Sequence, residues 1–426
     1  MRALPTSPNP PSSTSSVAAL VAGTVAVVAA LTWLWGWALP LVIFLVLVMV
    51  MGHEFGHFIT AKRAGMRVSD FFVGFGPVLW STTRGETRYG IRALPLGGYV
   101  KVPGMTWYDQ SVAAEDESRT YRSASYPRKV IFASAGSLMH VVMALLLAYG
   151  ALVFVGQPDV NHFSVGSFTR WDGHAQTAAQ QAGLRVGDVF VSVNGRRVTS
   201  VAVLESQIGD HAGEAIPLVV RRGSRLVDLT ARPVDARTVT INGVPEVKGA
   251  KPDGKLGFVI ANPTTTASWY AGVPRSFSMV ATTLHQAWDG LVHVFTPGEF
   301  ASLIHQVATP SAAQTSPAAT TRPVSIVEVV RLADQAAQSN VPIFFNILIT
   351  LNIFVGLMNM LPMLPLDGGY VAVATYERLR RRRGQLYRAD VNKLTPVVVA
   401  FVGVLAVLFA CTLYLDIVHP LANPFH

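Results

Sequence analysis

The sequence has a single cysteine and few charged residues. Cys411 is the only cysteine in 426 residues, which excludes an intrachain disulfide and any metal site built from several cysteines. Charged residues make up 14% of the chain, whereas an average soluble domain has about 25%. This shortage excludes a disordered tail protein and argues against an all-soluble enzyme. Half of the residues are hydrophobic, and the mean hydropathy of +0.38 indicates an integral membrane protein.

Long uncharged runs predict the membrane-spanning helices. Residues 1–17 are rich in proline and serine and are expected to be disordered. The run 18–51 is too long for one span of about 20 residues, and its three tryptophans favour two spans, at 18–37 and 39–61. A single long, tilted helix is the alternative. Further spans are predicted at 130–155, 341–361 and 394–418.

Lysine and arginine are concentrated in two connections between these spans. One is the polar segment 62–128, and the other is the short connection 374–393, which contains Arg380–Arg383. By the positive-inside rule both connections face the cytoplasm, which places segment 156–340 outside the cell. The net charge of +9 is therefore interpreted as an orientation signal with some contact to lipid headgroups. No nucleic-acid partner is expected.

The run His53-Glu54-Phe55-Gly56-His57 lies inside an apolar helix. Residues four apart share one helix face, so His53 and His57 can present two imidazoles to one metal ion. Zinc is the expected ion, because neutral imidazole suits it and three protein ligands leave a position open for water. Glu54 points about 100° around the helix, where it can act as a general base toward that water. Ionisable residues in a membrane helix are costly without a partner, which argues against a chance pair of core histidines.

A third ligand is expected from the second polar cluster in the membrane, NMLPMLPLDGGY at 359–370. Asp367 is the only carboxylate in this stretch. Pro362 and Pro365 predict a break in the helix, and the two glycines after Asp367 allow close backbone approach. Alone, Asp-Gly-Gly usually indicates a turn. Together with the two histidines it predicts a His, His, Asp zinc site.

The two motifs resemble those of a known enzyme family. H-E-F-G-H in one helix, followed far downstream by N-x-L-P-x-x-P-L-D-G-G, is similar to the site-2 protease family of intramembrane zinc metalloproteases. The similarity is greatest to the bacterial regulator-of-sigma-E branch in its actinobacterial form. It includes segment 71–105 and covers about residues 33–420. The resemblance implies these roles: His53, His57 and Asp367 as zinc ligands, Glu54 as general base, and Asn359 near the bound substrate.

The sequence departs from the family pattern in two places. Family members commonly have Asn four residues after the Gly of a GPxxN-like motif on the second core helix. Here AGSLMH places His140 at that position, which leaves a substrate contact there open. The span at 18–37 is additional to the four-helix pattern and would put the N-terminus inside the cell.

Residues 87–102 alternate polar and apolar side chains around Gly97 and Gly98. The alternation predicts a hairpin that dips into the membrane and pairs with an extended substrate by strand addition. Such pairing is needed because a transmembrane substrate arrives as a helix with shielded amide bonds. The resemblance supports this interpretation, since the segment matches the re-entrant sheet of the family, and Gly97 and Gly98 are expected to bind substrate. An ordinary cytoplasmic hairpin is the alternative.

The segment between the two halves of the membrane core is expected to hold a small sheet domain. Residues 180–208, with the turn Asn194-Gly195, resemble a PDZ domain of the protease-associated type, spanning about 160–235. The domain either binds an extended C-terminus or excludes substrates that carry large exterior domains, and the second role is favoured. Aromatic residues within 262–306 predict an amphipathic helix on the outer membrane surface. A helix packed on the core gives the same spacing.

The predicted fold is a polytopic α-helical membrane protein with four core transmembrane helices and an extra N-terminal one. A membrane-associated β-hairpin and an extracytoplasmic α+β PDZ-like domain complete it. The protease core is divided into 39–155 and 341–420. Between its halves lie the PDZ-like domain and an amphipathic and linker region at 236–340.

The expected activity is that of a zinc endopeptidase in the plasma membrane, with its active site toward the cytoplasmic side. Its expected partners are single-pass membrane proteins in the lipid bilayer, such as anti-sigma factors after a first cut or remnant signal peptides. One alternative is a catalytically inactive, PDZ-bearing membrane scaffold, but a structural zinc site normally has four protein ligands and only three are visible. A metal-ion transporter would need polar residues along several spans.

Overall fold

The structure is a computed structural model that describes most of the chain. It covers residues 14–105, 112–113, 115–241, 244–245, 251–308, 323–381 and 387–418. The chain forms two compact units. Unit 1 combines the part up to Gly150 with the part from Tyr270 onward, and unit 2 is Ala151–Trp269.

The described helices are, in chain order, α1 (Thr14–Trp35), α2 (Ala38–Arg63), α3 (Tyr126–Gly150), α4 (Ala178–Gln181), α5 (Val201–Gly209), α6 (Trp269–Val294), α7 (Pro297–Ala308), α8 (Ile326–Ser339), α9 (Val341–Asn359), α10 (Asp367–Arg380) and α11 (Thr395–Val418). The described strands are β1 (Asp70–Arg84), β2 (Thr87–Lys101), β3 (Gln157–Pro158), β4 (Ser164–Phe168), β5 (Val189–Val193), β6 (Arg196–Arg197), β7 (Ile216–Arg222), β8 (Arg225–Ala231), β9 (Val234–Asp235), β10 (Thr240–Ile241), β11 (Val244–Pro245), β12 (Gly254–Lys255), β13 (Phe258–Ala261) and β14 (Thr264–Thr265).

Four of the described helices are long and apolar enough to cross a membrane. They are α2, α3 with its continuation to Val155, α9 and α11. These helices coincide with four of the predicted spans. Between α1 and α2 the helix is interrupted at Gly36, whose φ of 91° is incompatible with a continuous right-handed helix. The single long helix is therefore not formed, and whether α1 crosses the membrane as the span at 18–37 stays a prediction.

The β1–β2 hairpin is bent, so that each of its two strands contributes two paired segments to one sheet. Residues 70–73 pair with 98–101 on one side and with 88–91 on the other, and 78–84 pair with 87–92. Segment 98–101 is therefore at one edge of this sheet. The polar and apolar alternation predicted a strand in this region, and β2 is that strand.

The turn of this hairpin is held to the end of α2 by Glu86. Its carboxylate accepts hydrogen bonds from Lys62, with Nζ at 2.6 Å, and from Arg119, with Nη2 at 2.9 Å. The bond from Arg119, followed by that from Lys62, lowers the pKa of Glu86 from 4.5 to about 2. The hairpin is thus connected by one ion pair to the helix that carries the two histidines and by a second ion pair to Arg119.

Helix α6 has one packed face and one exposed face. Val280 and Ala287 are buried in a cluster with residues of α3 and α9. On the other side Phe277 and Trp288 are more than half exposed. The predicted amphipathic helix is thus packed on the core along one side, and its contact with the outer membrane surface stays a prediction.

Unit 2 is built around a sheet with the strand order β13-β4-β5-β7-β8, in which β6 also pairs with β5. The predicted turn Asn194-Gly195 joins β5 to β6, with φ values of 50° and 75° that suit such a turn. The sheet and two short helices, α4 and α5, enclose an apolar core that includes Phe190, Leu204 and Leu218. A sheet with small helices is compatible with the PDZ-like assignment, which stays a prediction.

Asp188 is a buried charge in unit 2. Its side chain is 1% exposed, and it accepts hydrogen bonds from the Arg222 guanidinium at 2.7 Å and from the Arg185 N–H at 2.9 Å. Burial by itself would raise the pKa of Asp188, but these bonds outweigh it and hold the pKa below its usual value. The pair therefore fixes the start of β5 against the end of β7.

Candidate metal centre

Close packing of α2 on α3 places the two histidines. Gly52 and Gly56 lie one turn apart on α2, and a Cβ at Gly56 would stand 2.6 Å from the carbonyl oxygen of Ala135 on α3. Small residues at this spacing allow membrane helices to approach closely. His53 and His57 are buried within this contact, at 9% and 6% exposure.

Asp367, the first residue of α10, completes the site. The Nε2 atoms of His53 and His57 are 3.1 Å apart, and Asp367 Oδ2 lies 3.4 Å and 3.2 Å from them. A tetrahedral zinc site with bonds of about 2.0–2.1 Å requires neighbouring ligand atoms about 3.3 Å apart. The three atoms therefore form a triangle of the size that zinc requires, and they are the one group of three or more potential ligands found among the described residues.

The hydrogen-bonding state of the three side chains also fits a cation. His57 Nδ1 lies 2.8 Å from the carbonyl oxygen of Phe132 and donates to it, which leaves Nε2 with a free lone pair. Asp367 Oδ2 is buried and has no hydrogen-bond partner among the described residues. A buried, unpartnered carboxylate oxygen beside two imidazole nitrogens is unfavourable unless a cation lies between them. The donor set, two nitrogens and one oxygen, suits zinc with one position left open.

The loop between α9 and α10 brings Asp367 to this position. Helix α9 ends at Asn359, and the proline-containing segment 360–366 turns the chain, as the two prolines predicted. A Cβ at Gly368 would collide with the carbonyl oxygens of Met360 and Leu361, and one at Gly369 would stand 2.5 Å from the Leu364 nitrogen. The two glycines thus allow the close backbone approach predicted for them.

Glu54 is adjacent to the ligand triangle but is not part of it. Its carboxylate interacts with the backbone N–H of Val100 on β2, and its Cγ lies 3.4 Å from where a Cβ of Gly98 would stand. The edge segment 98–101 therefore runs beside Glu54. The ligand triangle, a carboxylate and a strand edge are therefore together in one place.

The structure places the other predicted site residues as follows. Gly97 has a φ of 122°, which side chains rarely allow, and lies against Phe75 and Val50. Gly98 lies against Met51 and Glu54 of α2. Asn359 is half-buried at the last position of α9, where the chain turns toward Asp367. Both glycines thus lie beside the helix of the histidines, and the substrate contacts of all three residues stay predictions.

Sequence reasoning missed two features of the site. One is Gly136 on α3: a Cβ there would stand 2.5 Å from His57 Nε2 and 2.6 Å from His53 Nδ1. The other is a hydrogen bond between His140 and Asn352, two fully buried residues on α3 and α9. Gly136 and His140, four apart in AGSLMH, share a helix face with small and polar character, and this pattern could have indicated their position.

Comparison with known proteins agrees with this geometry. Residues 41–405 match the model of Peptidase family M50. Zinc metalloprotease Rip1 of Mycobacterium tuberculosis is 29% identical over 404 residues, which cover 87% of this chain and 94% of that protein. Rip1 of Mycolicibacterium smegmatis is 28% identical with the same two coverages. Membrane metalloprotease ARASP, chloroplastic, of Arabidopsis thaliana is 26% identical over 78% of this chain and 68% of that protein. The chain, a membrane protein with several spans, therefore belongs to peptidase family M50, the zinc metalloendopeptidases of the site-2 protease type.

Proposed function

We propose that His53, His57 and Asp367 hold the zinc ion and that Glu54 is the general base of an intramembrane endopeptidase. The observation that carries this proposal is the triangle of three ligand atoms, 3.1–3.4 Å apart, with a carboxylate beside it that is not a ligand. Three protein ligands leave one position open, which is characteristic of catalytic rather than structural zinc sites.

The proposed reaction is hydrolysis of a peptide bond. Zinc, when bound, supplies Lewis acidity that polarises the scissile carbonyl and makes water more acidic. The Glu54 carboxylate takes a proton from the attacking water and then donates it to the leaving amine nitrogen. Burial of the site among α2, α3 and α10 excludes bulk water, so the charge that develops during the reaction is weakly screened.

The substrate is proposed to bind as a strand along β2. Segment 98–101 is at an edge of its sheet and runs beside Glu54, so an added strand there would pass the catalytic carboxylate. Gly97 and Gly98 let β2 pass close to α2, and their backbone is proposed to contact such a strand. Asn359 is proposed to donate a side-chain hydrogen bond to the substrate backbone, because it ends the helix that leads to Asp367.

Exposed apolar side chains support the insertion of the hairpin into the membrane. Phe75, Leu79 and Leu94 are 46%, 40% and 53% exposed. In water such exposure is unfavourable, whereas in the bilayer these side chains would contact lipid. An ordinary cytoplasmic hairpin, surrounded by water, would not be expected to expose three large apolar side chains.

The proposed substrates are single-pass membrane proteins that have lost most of their exterior part, such as trimmed anti-sigma factors or remnant signal peptides. The basic connections 62–128 and 374–393 support an active site toward the cytoplasm and an exterior location of the PDZ-like domain. We further propose that this domain, at 160–235, excludes substrates with large exterior domains. The competing function is that of a PDZ-bearing scaffold without catalysis.

The test uses the full chain co-expressed with a tagged, membrane-anchored anti-sigma stub. Glu54→Gln removes the base and leaves the three ligands in place. The parent is expected to clear the stub, and the variant is expected to let it accumulate on an immunoblot. Glu115→Gln, a change at an exposed glutamate, is the matched control and should behave like the parent.

The other outcomes are equally informative. Equal clearance by the parent and Glu54→Gln would show that the reaction does not depend on this carboxylate. If the parent binds zinc but leaves both the stub and a signal-peptide remnant intact, the scaffold function is favoured.

A further inference from the structure

His140 is a buried imidazole that the proposed reaction does not use. Its side chain is 1% exposed, and its Nδ1 lies 2.5 Å from Oδ1 of Asn352, which is itself completely buried on α9. Gly356, one turn further along α9, provides the space for it, because a Cβ there would stand 2.8 Å from the His140 Cβ. Helices α3 and α9 are thus shaped around a histidine at this position.

The ring of His140 lies next to that of His53. The two ring centres are 5.2 Å apart, at an interplanar angle of 47°. Imidazoles joined by an N–H···N hydrogen bond of about 3 Å have ring centres about 5 Å apart. The spacing therefore permits a direct hydrogen bond between the two rings.

The edge of His53 that carries Nδ1 faces α3. Gly136 lies against this edge, at a hypothetical Cβ distance of 2.6 Å from Nδ1. Helical side chains lean back toward the N-terminus of their helix, so the His140 side chain is expected to lean toward the turn of α3 that contains Gly136. His140 is therefore on the side of His53 where a partner for Nδ1 is needed.

The protonation pattern of the two rings is complementary. When His53 Nε2 binds a metal, its Nδ1 carries the hydrogen and requires an acceptor. Two groups lie on this side of the ring, the backbone carbonyl of Gly136, which interacts with His53, and the ring of His140. In this structure neither completes a hydrogen bond of standard geometry with Nδ1. When His140 Nδ1 donates to Asn352 Oδ1, its Nε2 has a free lone pair. One ring thus offers the donor and the other the acceptor. His57 already has such a partner, the carbonyl of Phe132.

We propose that His140 is a positioning residue for the metal ligand His53. In this chain of hydrogen bonds His53 Nδ1–H donates to His140 Nε2, and His140 Nδ1–H donates to Asn352 Oδ1. The chain fixes the orientation of the His53 ring and raises its basicity as a ligand, and it connects the metal centre to α9. This inference rests on the metal centre proposed above.

The experiment measures the zinc affinity of the full chain, purified in detergent, by competition with a chromophoric chelator. His140→Phe keeps a ring of similar size but cannot accept a hydrogen bond, and we expect zinc affinity to fall about 10- to 100-fold, the usual effect of losing such a partner. His140→Gln can accept through Oε1 and donate through Nε2, so it should restore most of the affinity. Leu138→Phe, at a 63% exposed position on the same helix, is the matched control and should bind zinc like the parent.

A second pair of variants tests the outer link. Asn352→Leu removes the acceptor and should also weaken zinc binding, and adding it to His140→Phe should cause little further loss, because both act through one chain of bonds. Cobalt-substituted protein provides a spectroscopic readout, since the visible bands should shift in His140→Phe and return in His140→Gln.

Several results would overturn the proposal. The first is a zinc affinity of His140→Phe equal to that of the parent. The second is a loss of zinc affinity in His140→Gln as large as in His140→Phe. The third is an equal loss of zinc affinity in Leu138→Phe, which would indicate general repacking. A parent that binds no zinc would instead refute the metal centre itself, so the two failures are distinguishable. Thermal unfolding of the metal-free proteins identifies variants that do not fold. If His140→Phe does not fold, the zinc affinity of Asn352→Leu tests the proposal instead.

Discussion

Gly136 has the most specific expected effect of any substitution near the metal centre. In Gly136→Ala the new Cβ would stand 2.5 Å from His57 Nε2 and 2.6 Å from His53 Nδ1, whereas ordinary contacts begin at 3.4 Å. The rings must therefore move by almost 1 Å, or the two helices must separate by a similar distance. The ligand triangle, whose sides are 3.1–3.4 Å, cannot absorb such a displacement and still match tetrahedral zinc.

The expected consequence is loss of both zinc binding and catalysis. A misplacement of about 1 Å at a reacting centre can cost about 100-fold in rate, and we expect a loss of this size in cleavage of the anti-sigma stub. Zinc content after purification, measured by mass spectrometry, should fall in parallel. Both measurements are made on the full chain in detergent.

Gly150→Ala provides the matched control. This glycine is the last residue of the same helix, and no atom lies within 4 Å of the place where its Cβ would stand. An added methyl group there should be harmless, since alanine favours helix more than glycine by about 1 kcal/mol. If Gly136→Ala retained zinc and activity like Gly150→Ala, the close contact between α3 and the two histidines would be refuted.

Two further predictions concern ion pairs outside the metal centre. Glu86→Gln should loosen the hairpin by about 1 kcal/mol, seen as faster hydrogen exchange in β1 and β2. Because the pKa of Glu86 is lowered from 4.5 to about 2, its contribution is complete above about pH 5 and is lost as the pH falls through 2. Asp188→Asn should destabilise unit 2 by about 2–3 kcal/mol, seen as faster exchange in 151–269. The lowered pKa of Asp188 likewise means that its contribution is present above its unfolded pKa of about 3.9 and disappears in acid. Unchanged exchange in either variant would contradict the corresponding ion pair.

The spans and the shared face of the two histidines follow from local properties of the sequence. Apolar runs near 20 residues long can be satisfied in a membrane only as helices, so four of the predicted spans correspond to α2, α3, α9 and α11. The two histidines are four residues apart, and helix geometry alone places them on one face. The turn Asn194-Gly195 was readable for a similar reason, because its conformation is a local property of the two residues.

The distances between the ligand atoms come from the packing of elements that are far apart in the sequence. Asp367 follows His57 by more than 300 residues, and its motif, which alone indicates a turn, predicted a ligand only in combination with the two histidines. Its approach to within 3.4 Å of both imidazoles depends on the loop at 360–366 and on the glycines beside it. Nothing in local propensity encodes such a distance, since it results from how α10 packs against α2 and α3.

The same limit explains the two features that were missed. Gly136 looks like any small residue in an apolar helix, and His140 looked only like a departure from the family pattern. Their importance arises from facing His53 across a helix contact, with Asn352 on a third helix opposite. Periodicity along one helix predicts which residues share a face, but which neighbour that face contacts is set by packing of the whole bundle.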